Sequence, residues 1–145
     1  MSRIDYSDDE PYPGAFGLWR GNVNRSLQGK RGQSALRFLR ESLLALPEQR
    51  LIANAIARDG EVCAIGAVLV HQQPDPLLRA YELAYLETID EEEDTTEYAP
   101  MDFPRLVAWA VVEASDYTFD YLTPEQRYEK MLAWVEARLA GKWIE

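Results

Sequence analysis

Apolar residues recur along most of this chain every three or four positions, which is the spacing of one face of an α-helix. Phe16, Trp19, Val23 and Leu27 predict a helix ending near Gln28, although Gly17 and Gly21 weaken it. Leu36, Leu39, Leu43 and Leu46 predict a second helix over about 33–46, closed by Pro47. Between them Gly29-Lys30-Arg31-Gly32 is expected to break the chain as the turn of an antiparallel helical hairpin. Ahead of both, residues 1–15 carry acids, Pro11, Pro13 and Gly14, and predict an irregular arm.

The next stretch supports two readings. Asp59-Gly60 between apolar runs is a hairpin signal, with Ile52, Asn54 and Ile56 on one strand face and alanines on the other. The alanines also fit a helix from Glu48 to Arg58 with Gly60 as its C-cap. The helix is the leading reading, and a small hairpin near 51–66 is the alternative. From Ala64 to His71 the chain is apolar and is expected to form a buried helix.

After Pro74 and Pro76, the residues Leu77, Ala80, Tyr81, Ala84 and Leu86 predict a helix. Residues 88–103 lack periodicity and predict an exposed acidic loop. The segment 104–115 is apolar almost all round and begins with proline, which predicts a central helix. A loop, DYTFDYL, follows. Thr123-Pro124-Glu125-Gln126 has the order of a capping box, and Tyr128, Met131, Leu132, Val135 and Leu139 should face inward on a last helix that ends at Gly141. The whole reads as one mainly α domain over 1–145, a compact bundle of four to six helices.

Charge changes what such a bundle can bind. The formal net charge is −10 over 145 residues. It is unevenly spread: residues 1–73 carry +1 and residues 74–145 carry −11, by count of the sequence. Anionic membranes and unaided nucleic acid are disfavoured by that field. One cysteine, Cys63, excludes an internal disulfide and suits a reducing compartment. The longest apolar run, 62–70, is about half of the ~20 residues that a membrane helix needs. A cytoplasmic protein is therefore expected, with no membrane partner.

Several stretches resemble a family of short uncharacterised phage and prophage proteins. They are GKRGQSALRFLRESLLALPEQRLI at 29–52, GEVCAIGAVLVHQQ at 60–73, the span 106–140 with its TPEQRY and LAW, and SRIDYSDD at 2–9. Residues 74–103 depart from that pattern. The resemblance brings no catalytic residues. It implies a phage or integrated-element origin, a setting in which small proteins often modify or disable host machinery.

No catalytic set can be assembled. Cys63 and His71 would lie about two turns, ~12 Å, apart on one helix, too far for direct proton transfer. Cys63 reads more simply as a small buried residue, and His71 as a partner for the helix dipole. One His and one Cys cannot build the usual zinc tetrad, and the acid run lacks an EF-hand pattern. No cofactor or metal is expected, and the chain reads as a non-enzyme.

Three groups remain as candidate partner-binding sites. The acids Asp90, Glu91, Glu92, Glu93, Asp94 and Glu97 read first as a solvated loop and second as an electrostatic imitation of nucleic acid. The bases Arg20, Arg25, Lys30, Arg31, Arg37 and Arg40 have no acid among them. They could meet nucleic acid or an acidic protein, and GKRG itself resembles a KH-type GxxG loop, though so short a match arises often by chance. The aromatics Tyr117, Phe119 and Tyr121 are core by default and a contact patch in the sharper reading. Asp116 and Asp120 among them read as turn formers.

The expected function is therefore a phage-encoded protein that binds and inhibits a host protein or ribonucleoprotein complex, foremost a defence system of CRISPR or restriction type. The alternatives are a nucleic-acid-binding accessory protein using residues 20–40, and a virion or assembly component.

Overall fold

The computed structural model describes residues 13–89, 100–119 and 121–144, with side chains from Leu18 onward except that of Tyr117. It is mainly helical, with one small hairpin. In order come α1 (Pro13–Gln28), α2 (Lys30–Leu44), β1 (Ala57–Arg58), β2 (Glu61–Val62), α3 (Ala64–His71), α4 (Pro76–Leu86), α5 (Arg105–Glu113) and α6 (Pro124–Leu139). A π-helical turn, Ala114–Thr118, extends α5.

α3 is the innermost element. Ala64, Ile65, Gly66, Ala67 and Val68 are all buried, so it has to be covered on several sides. α2, α4, α5 and β2 all pack on it, while α6 lies on α2 and α1 spans α2 and α5. Gly66 makes the closest approach: a Cβ there would stand 2.4 Å from the Ile56 carbonyl oxygen. That same oxygen accepts the Cys63 N–H at 3.0 Å, and the Cys63 thiol caps α3 by accepting the Gly66 N–H at 3.4 Å.

The α1–α2 connection is shorter than the expected four-residue turn. Only Gly29 lies outside the two helices. Gly32 allows this, because its backbone rests on Ser26, whose carbonyl oxygen would be 1.9 Å from a Cβ. The Gln33 side chain then donates to the orphan Leu27 carbonyl at 2.8 Å. α1 also starts at Pro13, inside the expected arm, and proline is well suited to a first turn.

The expected helix over 48–58 is absent, and the hairpin stands in its place. β1 and β2 pair antiparallel, Ala57 with Val62 and Arg58 with Glu61. Asp59 and Gly60 both have positive φ, 55° and 82°, as a type I′ turn requires. Backbone donors that a helix would use locally go elsewhere. Leu51 N–H donates to Pro124 O at 3.1 Å, and Ile52 N–H to Val62 O at 3.0 Å. Asn54, at φ 64°, is left-handed and ends any helical path.

α6 follows the sequence closely. Thr123 Oγ1 accepts the Gln126 N–H at 3.2 Å, and Gln126 Oε1 accepts the Thr123 N–H at 3.1 Å. Tyr128, Met131 and Val135 are buried, while Leu132 and Leu139 pack at the edge. The Tyr128 hydroxyl donates to the Leu43 carbonyl at 3.0 Å, joining α6 to the end of α2. The Asn24 side chain both donates to Ile144 O and accepts from Ile144 N–H, each at 2.9 Å, so the C-terminal segment is tied to α1. Pro100 and Phe103, at the end of the expected exposed loop, are buried, while Met101 and Asp102 between them are exposed.

Gly66→Ala tests the α3 seam. Helix propensity alone would favour alanine by about 1 kcal/mol. The contact with a backbone oxygen cannot relax by moving a side chain, so a net loss of roughly 1–3 kcal/mol is expected in urea unfolding. Equal or greater stability would show that the seam is looser than described.

Candidate functional site

α4 forms where the sequence places it, over Pro76–Leu86. Asp75 caps it, with Oδ1 accepting the Leu78 N–H at 2.9 Å, and Pro76 opens it. At ~100° per residue, Leu77, Tyr81, Tyr85 and Leu78 form one side, flanked by Ala84 and Ala80. On that side Leu77 is 63% exposed, Tyr81 65%, Tyr85 57% and Leu78 40%, and both alanines are exposed. The helix is held by its other side. Leu86 is fully buried, and Leu83 packs on the core. Arg79 donates to Gln73 O at 2.9 Å and lies at 3.5 Å from His71 O. At the far end Glu87 Oε2 accepts the Gly60 N–H at 2.7 Å, which joins α4 to the hairpin turn.

The solvent-facing arc of α4, about 160° wide, therefore carries no charge at all. Isolated exposed apolar residues are ordinary, whereas a contiguous set on one helix face is a candidate contact surface. Met101 is exposed as well, and its carbonyl accepts from Gln72 Nε2 at 2.9 Å where α3 gives way to α4.

The basic candidates are only partly gathered. Lys30 and Arg37 lie two turns apart on the outer side of α2, with Ser34 and Glu41 between and beyond them. Arg31 is exposed a third of a turn away. Arg40 instead pairs with Glu136 at 3.1 Å on the surface, and Arg25 bonds Asn22. Arg20 is half-buried. The candidate acids Asp90, Glu91, Glu92, Glu93, Asp94 and Glu97 lie outside the described residues, as does Asp120.

Of the aromatic candidates, the side chains of Phe119 and Tyr121 are described. Phe119 packs against the core, whereas Tyr121 is 96% exposed at a left-handed φ of 66°. The side chain of Tyr117 lies outside the described set. What organises this region is Arg127, which the sequence did not single out. Its buried guanidinium donates to Ser115 O at 3.1 Å, Phe119 O at 2.9 Å and Leu122 O at 3.3 Å. It thereby folds the π-helical turn and the following loop onto α6. Nothing in the order TPEQRY separates this arginine from a solvated one.

Asp116 is not an ordinary exposed turn former. It sits within the π-helical turn, where its Oδ1 accepts the Asn54 N–H at 3.4 Å. Burial pushes its carboxyl up, against opposing pulls from Asn54, Arg127 and the neighbouring Ser115 hydroxyl. That hydroxyl lies close enough to favour the charge but has no partner at full hydrogen-bond geometry. Glu113 is also pushed up, first by burial and then by Asp116.

Cys63 is buried, and desolvation pushes its thiol up to about 11, so it is not an activated nucleophile. His71 packs against Phe38 with ring centroids 5.2 Å apart. Burial, then the Arg79 charge, lowers its imidazole. That weakens the expected role of a charged partner for the α3 dipole. Among the described residues no group of three or more His, Cys, Asp or Glu comes together to hold a metal, and no helix is long and apolar enough to cross a membrane.

No protein-family model, no curated protein and no solved structure matches this chain.

The two raised carboxyls give a pH prediction. A raised carboxyl pKa means that ionisation costs folding energy, so this contribution to stability is present at low pH and is lost as pH rises through the folded value. Asp116→Asn keeps an oxygen for the Asn54 N–H but cannot ionise. It should melt higher than wild type near pH ~7, and the difference should vanish near pH ~3, below the usual carboxylate range. A lower melting temperature at neutral pH would mean that the Arg127 and Asn54 interactions outweigh burial.

Proposed function

We propose that this chain is a non-enzymatic interaction protein, encoded by a phage or prophage, that binds and inhibits a host protein complex. The foremost target class is a defence system of the CRISPR or restriction type. The observation that carries the binding reading is the uncharged outward arc of α4, centred on Leu77, Tyr81 and Tyr85. Aromatic and large apolar side chains of this kind dominate interface energies. Support for the host setting comes from the resemblance of the 29–52, 60–73 and 106–140 stretches to phage proteins. The −11 charge of residues 74–145 supports a cationic target, such as a nucleic-acid groove. Asp90 through Asp94 would contribute to that field as a nucleic-acid imitation.

The second reading is nucleic-acid binding through α2. Lys30, Arg31 and Arg37 are exposed, with no ion-pair partner among the described residues. Mobility shifts at low salt that are lost in Lys30→Gln/Arg31→Gln would favour it, and no shift at low salt would remove it.

The test of the main reading is phage plating on hosts with an active restriction or CRISPR system. Wild-type protein should restore plating. Leu77→Ser/Tyr81→Ser should reduce that effect by on the order of tenfold or more, since ~1.4 kcal/mol of binding is a factor of ten. Replacing Asp90 through Asp94 by Ser and Asn should leave folding intact and reduce the effect if the acids act as a decoy. Unchanged plating with wild-type protein in both kinds of host would overturn the proposal.

A further inference from the structure

We infer that α4 is shaped for a cationic amphipathic helix, laid along Leu77, Tyr81 and Tyr85 with lysine or arginine at its margins. The inference rests on reading α4 as a docking face and adds the chemistry of the partner.

The shape points to a helix. Leu77, Tyr81 and Tyr85 form an i, i+4, i+8 row, the ridge that packs into the groove of a second helix. α4 has eleven residues and is ~16 Å long, and its Leu77–Tyr85 row spans ~12 Å, enough for three successive anchors.

The margins point to cations. Glu82 and Asp75 lie along one edge of the apolar arc and Glu87 along the other. Asp75 and Glu87 accept backbone N–H bonds, which leave their negative charge in place. Asp102 follows the exposed Met101. The helix has one cation, Arg79, and its guanidinium is turned to the carbonyls of His71 and Gln73. Among the described residues of α4 and its two caps, the apolar arc is thus bordered by acids, with no outward base.

The same margins argue against other occupants. An anionic membrane or a nucleic acid would meet repulsion before reaching the apolar arc. A second copy would set acid against acid, in a chain that already carries −10. Four large side chains also fall short of the ~800 Å² per partner of a stable dimer.

Labelled helical peptides of about 18 residues, the span of roughly five turns, serve as probes in fluorescence anisotropy. One has a leucine stripe and a lysine face, one has the same stripe with a glutamate face, and one scrambles the leucine–lysine sequence. The ordered lysine peptide should bind, and binding should weaken between ~0.05 and ~0.5 M salt. It should weaken at least tenfold with Leu77→Ser/Tyr81→Ser, or with Tyr85→Ser should the double variant lose its helical circular dichroism. The scrambled and glutamate peptides should bind at least tenfold more weakly. Equal binding by the glutamate peptide would overturn the partner's charge while leaving α4 as a docking face. Equal binding by the scrambled peptide, or by the stripe variants, would overturn the site. A dimer in light scattering that dissociates in the stripe variant would show a second copy to be the occupant, and would also overturn it. Plating lost in the stripe variant without lysine-peptide binding would overturn this inference and leave the proposed function standing. Peptide binding without any plating effect would do the reverse.

Discussion

α3 has little polar surface to offer to water. Its first five residues are buried, its N-terminus is capped by a thiol rather than a hydroxyl or carboxylate, and its single glycine, Gly66, sits against the Ile56 carbonyl. A segment like this is stable only if other elements cover it. α2, α5, the hairpin and α4 divide that task. α4 covers α3 with a narrow side, Leu83, Leu86 and the stem of Arg79. Its remaining circumference faces outward and is still apolar. The exposed stripe is therefore tied to the way in which α3 is buried.

Polar tethers fix the outer elements at specific points, and most of them join distant parts of the chain. Arg127 gathers three carbonyls from 115–122 onto α6. Tyr128 ties α6 to the last turn of α2, and Asn24 ties α1 to Ile144. Asp116 reaches the left-handed Asn54 from a half-buried site that burial makes unfavourable for charge. Each such bond contributes about 1 kcal/mol when made and costs more when one buried partner is lost. They therefore set position more than total stability.

The local rules along the chain foretold much of this fold. The leucines of α2 and the capping box of α6 encode those helices within a few residues, because their determinants lie three or four positions apart. The hairpin was legible as turn chemistry at Asp59-Gly60, but the alanines beside it argued for helix. Non-local hydrogen bonds from Leu51 and Ile52 decided between the two, and periodicity does not record such bonds. The one-residue corner at Gly29 depends on Gly32 meeting Ser26, again a contact in space. For α4 the helix was legible, but its inward side was not. Both Leu77–Tyr81–Tyr85 and Arg79–Leu83–Leu86 have helical spacing, so only the packing on α3 shows which side goes inward. The buried role of Arg127 left no mark in the sequence. The acid run that dominates residues 90–97 lies outside the described residues, and the exposed arc of α4 is apolar.

The central claim is that the two sides of α4 do different work, one serving the fold and the other a partner. Equilibrium urea unfolding separates them directly. Leu86→Ala removes a fully buried side chain and should cost about 2–5 kcal/mol. Leu77→Ser/Tyr81→Ser alters only exposed positions and should stay within about 0.5 kcal/mol of wild type. A stripe variant that lost as much as Leu86→Ala would mean that the stripe is part of the core, and would contradict the account.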